Sequence, residues 1–219
     1  MSLRPTVAAL DAPAAPRLLD GVPLWRPRGS RLARGLFRLV GWRLVCDGLP
    51  ARQGVMLVYP HTSNWDFPVG IFAKWILGVP LRFWVKDSLF KLPLFGAWLR
   101  WLGGVAVRRD SAQGLVADTA AQLRAARERD ELFWLVAAPE GTRSHAAGWR
   151  SGAYHLALQA GVPVGLASFD FPSRTVTLQQ FVHLSGDVAA DFALLAELYA
   201  GKRGKRPTLA APVKLLERT

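Results

Sequence analysis

A single cysteine, Cys46, occurs in the 219 residues of the chain, so no disulfide can form within it. That scarcity fits a reducing compartment. No stretch reaches the roughly 18 uninterrupted apolar residues that a membrane-spanning helix needs. The first 20 residues carry Pro, Asp and scattered Arg without a long apolar segment, and we therefore do not expect a secretory signal.

Acidic residues are scarce at both ends of the chain, and the net charge is +12. Residues 1–50 hold eight Arg and three Asp, and residues 201–219 hold six basic residues and one Glu. Residues 51–200 are nearly balanced, with 14 basic and 12 acidic residues. Polybasic ends attract anionic membranes or nucleic acid. The alternative is a solvated, Arg-rich surface without a specific partner.

Apolar runs of strand length alternate with longer stretches of helical periodicity from residue 42 onward, which is typical of an α/β sandwich. We predict strands over residues 42–46, 55–59, 81–85, 105–108, 132–137, 162–169 and 174–181. We predict helices over residues 67–77, 94–102, 112–129, 152–160 and 187–200. The expected fold is a mixed, mostly parallel sheet flanked by helices, in which the last strand is a candidate for antiparallel pairing.

An amphipathic helix is predicted near the amino terminus, over residues 31–42. Its apolar residues share one face and its basic residues the opposite one: Leu32, Leu36, Leu39 and Val40, with Phe37 at the edge, against Arg31, Arg34 and Arg38. Such a helix can lie in a membrane interface or pack its apolar side on the domain. We therefore divide the chain into a basic lead-in with this helix (1–41), a central domain (42–200) and a basic tail (201–219).

A histidine followed closely by an aspartate comes just after the predicted strand 55–59, in the segment His61-Thr62-Ser63-Asn64-Trp65-Asp66. A carboxylate about one helical turn beyond an imidazole can hold the ring in one tautomer, which leaves the other nitrogen free to act as a general base. Ser63 and Asn64 have short side chains that can fix the turn or cap a helix. The alternative is a structural histidine at a strand end.

Polar groups crowd a second segment, Pro139-Glu140-Gly141-Thr142-Arg143-Ser144, directly after an apolar run. Gly141 allows a tight turn, and Arg143 suits bidentate binding of a phosphate or carboxylate. Polar groups beside so apolar a strand are costly to bury without a purpose. The simpler alternative is that Glu140 and Arg143 pair with each other and close the loop.

Two adjacent arginines, Arg108 and Arg109, follow the apolar residues 105–107. Strand ends in α/β sheets often line the ligand crevice. Because neighbouring side chains of a strand point to opposite faces, we expect one of the two to face the site.

These segments together resemble the glycerolipid acyltransferases, the family of lysophosphatidic acid and glycerol-3-phosphate acyltransferases. Residues 61–66 are similar to the family's His-x4-Asp block, and residues 104–109 to its second block, in which Arg109 takes the place of a phosphate-binding arginine. Residues 139–144 resemble the third block. Gly161-Val162-Pro163-Val164 is similar to the fourth, whose proline shapes the acyl-donor side. The blocks stand in the family's order within residues 40–185.

The resemblance implies a glycerol-3-phosphate acyltransferase-like fold and acyl transfer without an acyl-enzyme, a metal or a redox cofactor. The acyl group would pass from acyl-CoA or acyl-carrier-protein to a lysophospholipid hydroxyl, with 1-acylglycerol-3-phosphate as the expected acceptor. His61 would be the general base and Asp66 would orient it. Substrate binding is assigned to Ser63, Arg109, Glu140, Gly141, Thr142 and Arg143, and the acyl-donor side to Val162 and Pro163.

The implied partners are a lipid acceptor, an acyl thioester and an anionic membrane surface, with acyl-carrier-protein as one candidate donor. The expected location is cytoplasmic and peripheral, on the inner face of the cytoplasmic membrane. Pro60 precedes the histidine where many family members have Asn. A non-phosphate acceptor, such as a lyso-aminolipid, is therefore kept as the first alternative.

Functions of other classes are also considered. The basic ends suit a non-catalytic module that binds membranes or nucleic acid, but no nucleic-acid recognition motif is present and no nucleic acid is expected as a partner. A serine hydrolase has little support because the sequence contains no Gly-x-Ser-x-Gly elbow. Aromatic residues crowd positions 65–101, which favours core packing, with an acyl-chain groove or a lipid contact as the alternative.

Overall fold

One eight-stranded mixed sheet runs through the residues that the computed structural model describes, namely 15–20, 22, 24–107 and 112–216. The strands are β1 (Arg17–Leu18), β2 (Arg43–Val45), β3 (Gln53–Tyr59), β4 (Leu81–Lys86), β5 (Gly104–Val107), β6 (Phe133–Ala137), β7 (Val164–Asp170) and β8 (Thr175–His183). The helices are α1 (Arg31–Leu39), α2 (Asp66–Leu77), α3 (Pro93–Trp101), α4 (Ala112–Glu128), α5 (Gly152–Ala160) and α6 (Val188–Leu198).

The strand order is β1-β8-β7-β3-β6-β4-β5, and β2 pairs with β8 off this path. The five strands from β7 to β5 are mutually parallel, whereas β8 is antiparallel to β7. The predicted mixed, mostly parallel α/β sheet with flanking helices is confirmed. The antiparallel last strand follows from its short connection to β7, since antiparallel neighbours can be joined by a tight turn and parallel ones need a longer crossover.

Strand β3 sits at the centre of the sheet, and all seven of its residues are buried. Its alternating side chains supply two separate cores, as expected for a strand covered on both faces. Val55 and Leu57 belong to the cluster that contains α4, α5 and α6, whereas Met56 and Val58 belong to the cluster that contains α1 and α2. The helices therefore form two layers, one on each face of the sheet.

Helix α1 begins after Ser30, whose hydroxyl accepts a hydrogen bond from the Ala33 N–H at 3.1 Å. The helix is shorter than the predicted 31–42 segment. Its contact with the domain is made by Ala33 and Phe37, and the Phe37 ring stacks on Phe72 at 5.9 Å. The predicted apolar face, which consists of Leu32, Leu36, Leu39 and Val40, is exposed, and Leu39 is 82% exposed.

Residues 201–216 lie against the domain, although their charge led us to treat them as the start of a tail. Ala211 is fully buried, and the backbone of Trp149 exchanges hydrogen bonds with Lys214 and Leu216. A 3₁₀ turn spans Pro207–Leu209. Within the described ranges, no helix combines the length and apolarity that crossing a bilayer requires.

Candidate active site

The candidate catalytic residues meet at the carboxyl end of the central strands. His61 follows β3 directly, and Glu140 follows β6. Because β3 and β6 are parallel neighbours in register, with Leu57 beside Ala137, the loops that leave them emerge side by side. The topology thus brings together two segments that lie far apart in the sequence.

Asp66 is the first residue of α2 and is 1% exposed. Its Oδ2 lies 3.1 Å from His61 Nδ1 and accepts a hydrogen bond from the Ser63 N–H at 2.9 Å. The approach of His61 Nδ1 to Asp66 is close, but the two groups are not aligned as a hydrogen bond, and Asp66 Oδ1 is buried without a protein partner. The position of Asp66 in the first turn also favours its negative charge through the helix dipole.

The His61 side chain is 16% exposed. Its Nδ1 is buried against Asp66, so the accessible part of the ring lies away from that nitrogen. Ser63 is buried, and its hydroxyl accepts from the Trp65 N–H at 3.2 Å. Ser63 therefore holds the turn between His61 and Asp66 together, and its side chain does not reach outward toward a substrate.

Glu140 is 2% exposed, and both of its carboxylate oxygens are occupied by backbone groups. Oε2 accepts a short hydrogen bond from the His61 N–H, and Oε1 accepts from the Ala211 N–H at 2.9 Å. Burial raises the pKa of this carboxyl, and the two backbone donors act in the opposite direction. Glu140 thus fixes the backbone at His61, and the simpler expectation that it pairs with Arg143 is replaced by these contacts.

Replacing Glu140 with Gln should destabilise the protein. An amide presents NH₂ on one side, so one of the two backbone N–H groups would face a donor and lose its acceptor. Leaving a buried group unpaired costs about 1–3 kcal/mol. Urea unfolding should show that loss, whereas the exposed matched change Glu131→Gln should stay within about 0.5 kcal/mol. Equal stability of both variants would contradict a positioning role for Glu140.

The segment after α6 closes over the site, a contribution that the sequence analysis missed. The Arg206 N–H donates to Thr62 Oγ1 at 3.2 Å, and the Tyr59 hydroxyl donates to the Ala211 carbonyl at 2.9 Å. Together with the Ala211–Glu140 bond, these contacts tie the two polar loops to one stretch of chain. The sequence feature that could have predicted this contact is the apolar character of residues 209–216, because apolar side chains favour a covered position.

Gly141 and Arg143 occupy the outer part of the loop that follows β6. Gly141 has φ +65°, and a side chain there would collide with Arg150, whose guanidinium crosses the loop. Arg143 is exposed and Thr142 is half-buried, with its hydroxyl accepting from the Ser144 N–H at 3.1 Å. Arg150 was not singled out from the sequence, because nothing in its local pattern distinguishes it from a surface arginine.

A third cation reaches the same region from the segment after α6. Lys205 Nζ lies 4.6 Å from the ring centroid of Trp65, which is itself exposed beside Asp66. Such a cation–π contact holds the ammonium over the turn that carries His61. Arg109, which the resemblance assigned to phosphate binding, lies outside the described residues.

Val162 and Pro163, assigned to the acyl-donor side, do not lie at this site. Both are buried at the amino end of β7, and the Pro163 carbonyl accepts from the Val55 N–H at the start of β3. Since β7 and β3 are parallel and Val164 lies beside Val55, this end of the sheet is four residues, about 13 Å, from Tyr59 at the end of β3, and His61 lies beyond Tyr59. Both side chains are buried in the core, and their part in binding the acyl donor stays a prediction.

The arrangement provides an imidazole with one nitrogen facing a buried carboxylate and its far edge accessible. The neighbouring loop after β6 carries Arg143 and Arg150, and Lys205 of the segment after α6 lies over Trp65. Such a site can take a proton from a hydroxyl group and hold a nearby anion. In the ranges that the structure covers, no cluster of three or more His, Cys, Asp or Glu side chains could hold a metal ion.

Comparison with known proteins places these residues in a defined family. The family model described as Acyltransferase matches residues 45–165, a segment that contains His61, Asp66 and the whole loop after β6. Two curated relatives are described as 1-acyl-sn-glycerol-3-phosphate acyltransferase. The Salmonella typhimurium LT2 protein is 33% identical over 108 residues, and the Escherichia coli K12 protein is 33% identical over 111 residues.

These alignments cover 48% of this chain and 42% of each relative. The chain therefore matches less than half the length of the curated proteins. A solved structure, that of the 1-acyl-sn-glycerophosphate (LPA) acyltransferase PlsC from Thermotoga maritima, covers 68% of this chain and 64% of its own, with 23% identity and a TM-score of 0.43.

Proposed function

Because the chain belongs to the Acyltransferase family, we propose that it moves a fatty acyl group from an acyl thioester to the hydroxyl of a lysophospholipid. The proposed acceptor is 1-acylglycerol-3-phosphate. The observation that carries the proposal is the His61 Nδ1 to Asp66 Oδ2 approach of 3.1 Å at the carboxyl end of β3. It places one ring nitrogen against a buried carboxylate and leaves the accessible side of the ring for a substrate.

In the proposed reaction, His61 Nε2 takes the proton of the acceptor hydroxyl as its oxygen attacks the thioester carbonyl carbon. The resulting tetrahedral intermediate collapses with cleavage of the carbon–sulfur bond. The leaving thiolate takes the proton back from the imidazolium. The products are a new ester and a free thiol, and neither an acyl-enzyme nor a cofactor is required. General-base assistance of this kind is worth about 10²–10⁴-fold in rate.

Asp66 would act on this reaction through the ring. A proton on His61 Nδ1 that faces Asp66 leaves Nε2 as the basic nitrogen, and the carboxylate offsets the positive charge that the ring gains. The negative charge on the tetrahedral intermediate needs donors. Among the backbone amides after His61, those of Ser63, Trp65 and Asp66 already donate within the turn. We therefore assign this role to the amides of Thr62 and Asn64.

The cations beside His61 support an acceptor with a negatively charged end. Arg143 and Arg150 belong to the loop after β6, in which Glu140 accepts from the His61 N–H, and Lys205 lies over Trp65 in the turn that carries His61. An arginine can bind a phosphate bidentately, and each charge-assisted bond is about twice as strong as a neutral one. A lyso-aminolipid or another acceptor without a phosphomonoester remains the alternative, with the same chemistry at His61.

Replacing Arg143 with Ala should raise KM for 1-acylglycerol-3-phosphate by about tenfold, the equivalent of about 1.4 kcal/mol, with kcat changed much less. The reason is that Arg143 would bind the phosphate equally in the ground and transition states. Initial rates over a range of acceptor concentrations give both constants. The matched change Arg129→Ala, at an exposed arginine near the start of β6, should leave both constants alone. An unchanged KM in Arg143→Ala would favour the non-phosphate acceptor.

The most direct test of the proposed function measures thiol release from acyl-CoA and from acyl-carrier-protein against a panel of lysolipids. We expect release that depends on the acceptor and is fastest with 1-acylglycerol-3-phosphate. Thiol release without any acceptor would indicate hydrolysis. Salt-sensitive binding to DNA or vesicles with no thioester consumed would favour the non-catalytic binding module.

The same proposal places the protein at the inner face of the cytoplasmic membrane, where its lipid acceptor lies.

A further inference from the structure

Large apolar side chains are exposed mainly on one side of the described part of the molecule. Helix α3 and the residue before it carry the densest group, which consists of Leu92, Leu94, Phe95, Trp98 and Trp101. Leu94 is 89% exposed and Trp101 is 72% exposed. The opposite side of α3 is also apolar, because Gly96 and Leu99 are buried against the domain. Apart from Arg100, α3 is apolar on both sides, and such a helix is normally covered. Its exposed face therefore points to a contact with a partner beyond the described residues.

The exposed leucines of α1 and the exposed face of α3 belong to the same layer, because α2 lies between the two helices. The Ser30 N–H, at the start of α1, donates to the Trp75 carbonyl of α2 at 2.8 Å. On the other side, Phe67 of α2 contacts Trp98 of α3, with ring centroids 5.8 Å apart. Lys74 of α2 also donates to the Leu102 carbonyl just after α3. The layer of α4, α5 and α6 lies on the opposite face of the sheet.

Charge on this layer is almost entirely positive. Residues 86–102 contain Lys86, Lys91 and Arg100 against the single acid Asp87. The nine residues of α1 contain three arginines and no acid. The guanidinium of Arg100 also lies over the Phe90 ring, 5.7 Å from its centroid. Tryptophan and leucine bordered by lysine and arginine match the boundary between lipid headgroups and acyl chains, where indole rings and basic side chains both find partners.

We propose that residues 87–101, the 3₁₀ turn Asp87–Lys91 followed by α3, form a docking surface for an anionic phospholipid bilayer. In this arrangement Leu94 and Trp101 enter the interface, and Lys91 and Arg100 meet the headgroups. The α1 leucines extend the same layer. The inference deepens the proposed function and rests on it only for the purpose of docking, which is to deliver a lipid acceptor.

The docking surface lies beside the reactive histidine. Trp98 contacts Phe67, which directly follows Asp66 in α2. An exposed tryptophan, Trp65, precedes Asp66 and carries Lys205 over its ring. A bilayer that covers α3 would therefore lie next to the turn that holds His61. A lipid acceptor could reach the site with its acyl chain still in contact with the membrane.

The test compares two double variants in vesicle sedimentation. Leu94→Glu/Trp101→Glu places two carboxylates on the docking surface, and the matched control Val188→Glu/Leu216→Glu makes the same kind of change at exposed positions outside the α1–α2–α3 layer. All four positions are exposed, and thermal unfolding checks that the variants fold. With vesicles of phosphatidylcholine and phosphatidylglycerol, we expect binding to weaken by about tenfold or more in the first variant and to match the wild type in the control.

Equal vesicle binding by both double variants would overturn the docking proposal. So would a wild-type dimer that Leu94→Glu/Trp101→Glu dissociates while vesicle binding persists, because the surface would then join two copies of the chain. Transfer to a short-chain acceptor dissolved without vesicles separates this proposal from the proposed function. If the wild type transfers the acyl group to this acceptor and Leu94→Glu/Trp101→Glu binds vesicles as well as the wild type does, the docking proposal is wrong and the proposed function stands. If the wild type transfers no acyl group, and Leu94→Glu/Trp101→Glu binds vesicles more weakly than the wild type, the proposed function is wrong and the docking proposal stands.

Discussion

His61→Ala should lower acyl transfer by at least about 10³-fold, because it removes the group proposed to take the proton from the acceptor hydroxyl. The loss should appear in kcat, since alanine leaves the surrounding cations in place to bind the acceptor. The side chain is partly accessible and its backbone N–H keeps its bond to Glu140, so the fold should persist. Thiol release under saturating acyl-CoA and lysolipid measures the effect.

A matched histidine on another element provides the control for this variant. His155 is exposed on α5, and its ring packs beside that of Tyr154. His155→Ala should retain the wild-type rate. Wild-type turnover by correctly folded His61→Ala would show that the proton leaves the hydroxyl by another route, and the assignment of the general base would be wrong.

Asp66→Asn should slow transfer by about 10²–10⁴-fold with little change in KM. Oδ2 of Asp66 faces both the Ser63 N–H and His61 Nδ1. An asparagine oxygen in that position keeps both contacts, but the neutral amide no longer offsets the positive charge that the ring gains in the reaction. Loss of a carboxylate from the first turn of α2 should cost only about 0.3–1 kcal/mol of stability. Steady-state kinetics and thermal unfolding on the same sample separate the two effects.

The control for Asp66 is Asp118→Asn, a change of the same chemistry at an exposed position of α4. It should affect neither rate nor stability measurably. A normal rate for Asp66→Asn would mean that the 3.1 Å approach to His61 has no part in the reaction, and that Asp66 only fixes the turn through Ser63.

The meeting of His61, Asp66 and the loop after β6 could be predicted from the sequence because it depends on local signals. Each polar segment follows an apolar run, and parallel strands place the residues that follow them at one edge of the sheet. The role of Glu140 could not be predicted in this way. Its two backbone partners, His61 and Ala211, are far away in the sequence, and its burial depends on chain segments that only the fold brings together.

The segment after α6 shows a second limit of sequence patterns. Its basic residues led us to describe it as a basic tail, yet Ala211 is buried and the Arg206 N–H donates to Thr62 Oγ1. An irregular segment has no periodicity that would reveal which surface it covers. Helix α1 shows the complementary case: periodicity indicated a leucine face, but the domain covers Ala33 and Phe37, and the leucines are exposed.

The central claim is that Asp66 acts on acyl transfer through His61, and a double-variant cycle tests it most directly. Rates of thiol release are compared for the wild type, His61→Ala, Asp66→Asn and the variant that carries both changes. We predict that the double variant is no slower than His61→Ala alone, because orienting a ring that is absent has no effect. Two losses that multiply in the double variant would show that Asp66 and His61 act independently, and would contradict the account.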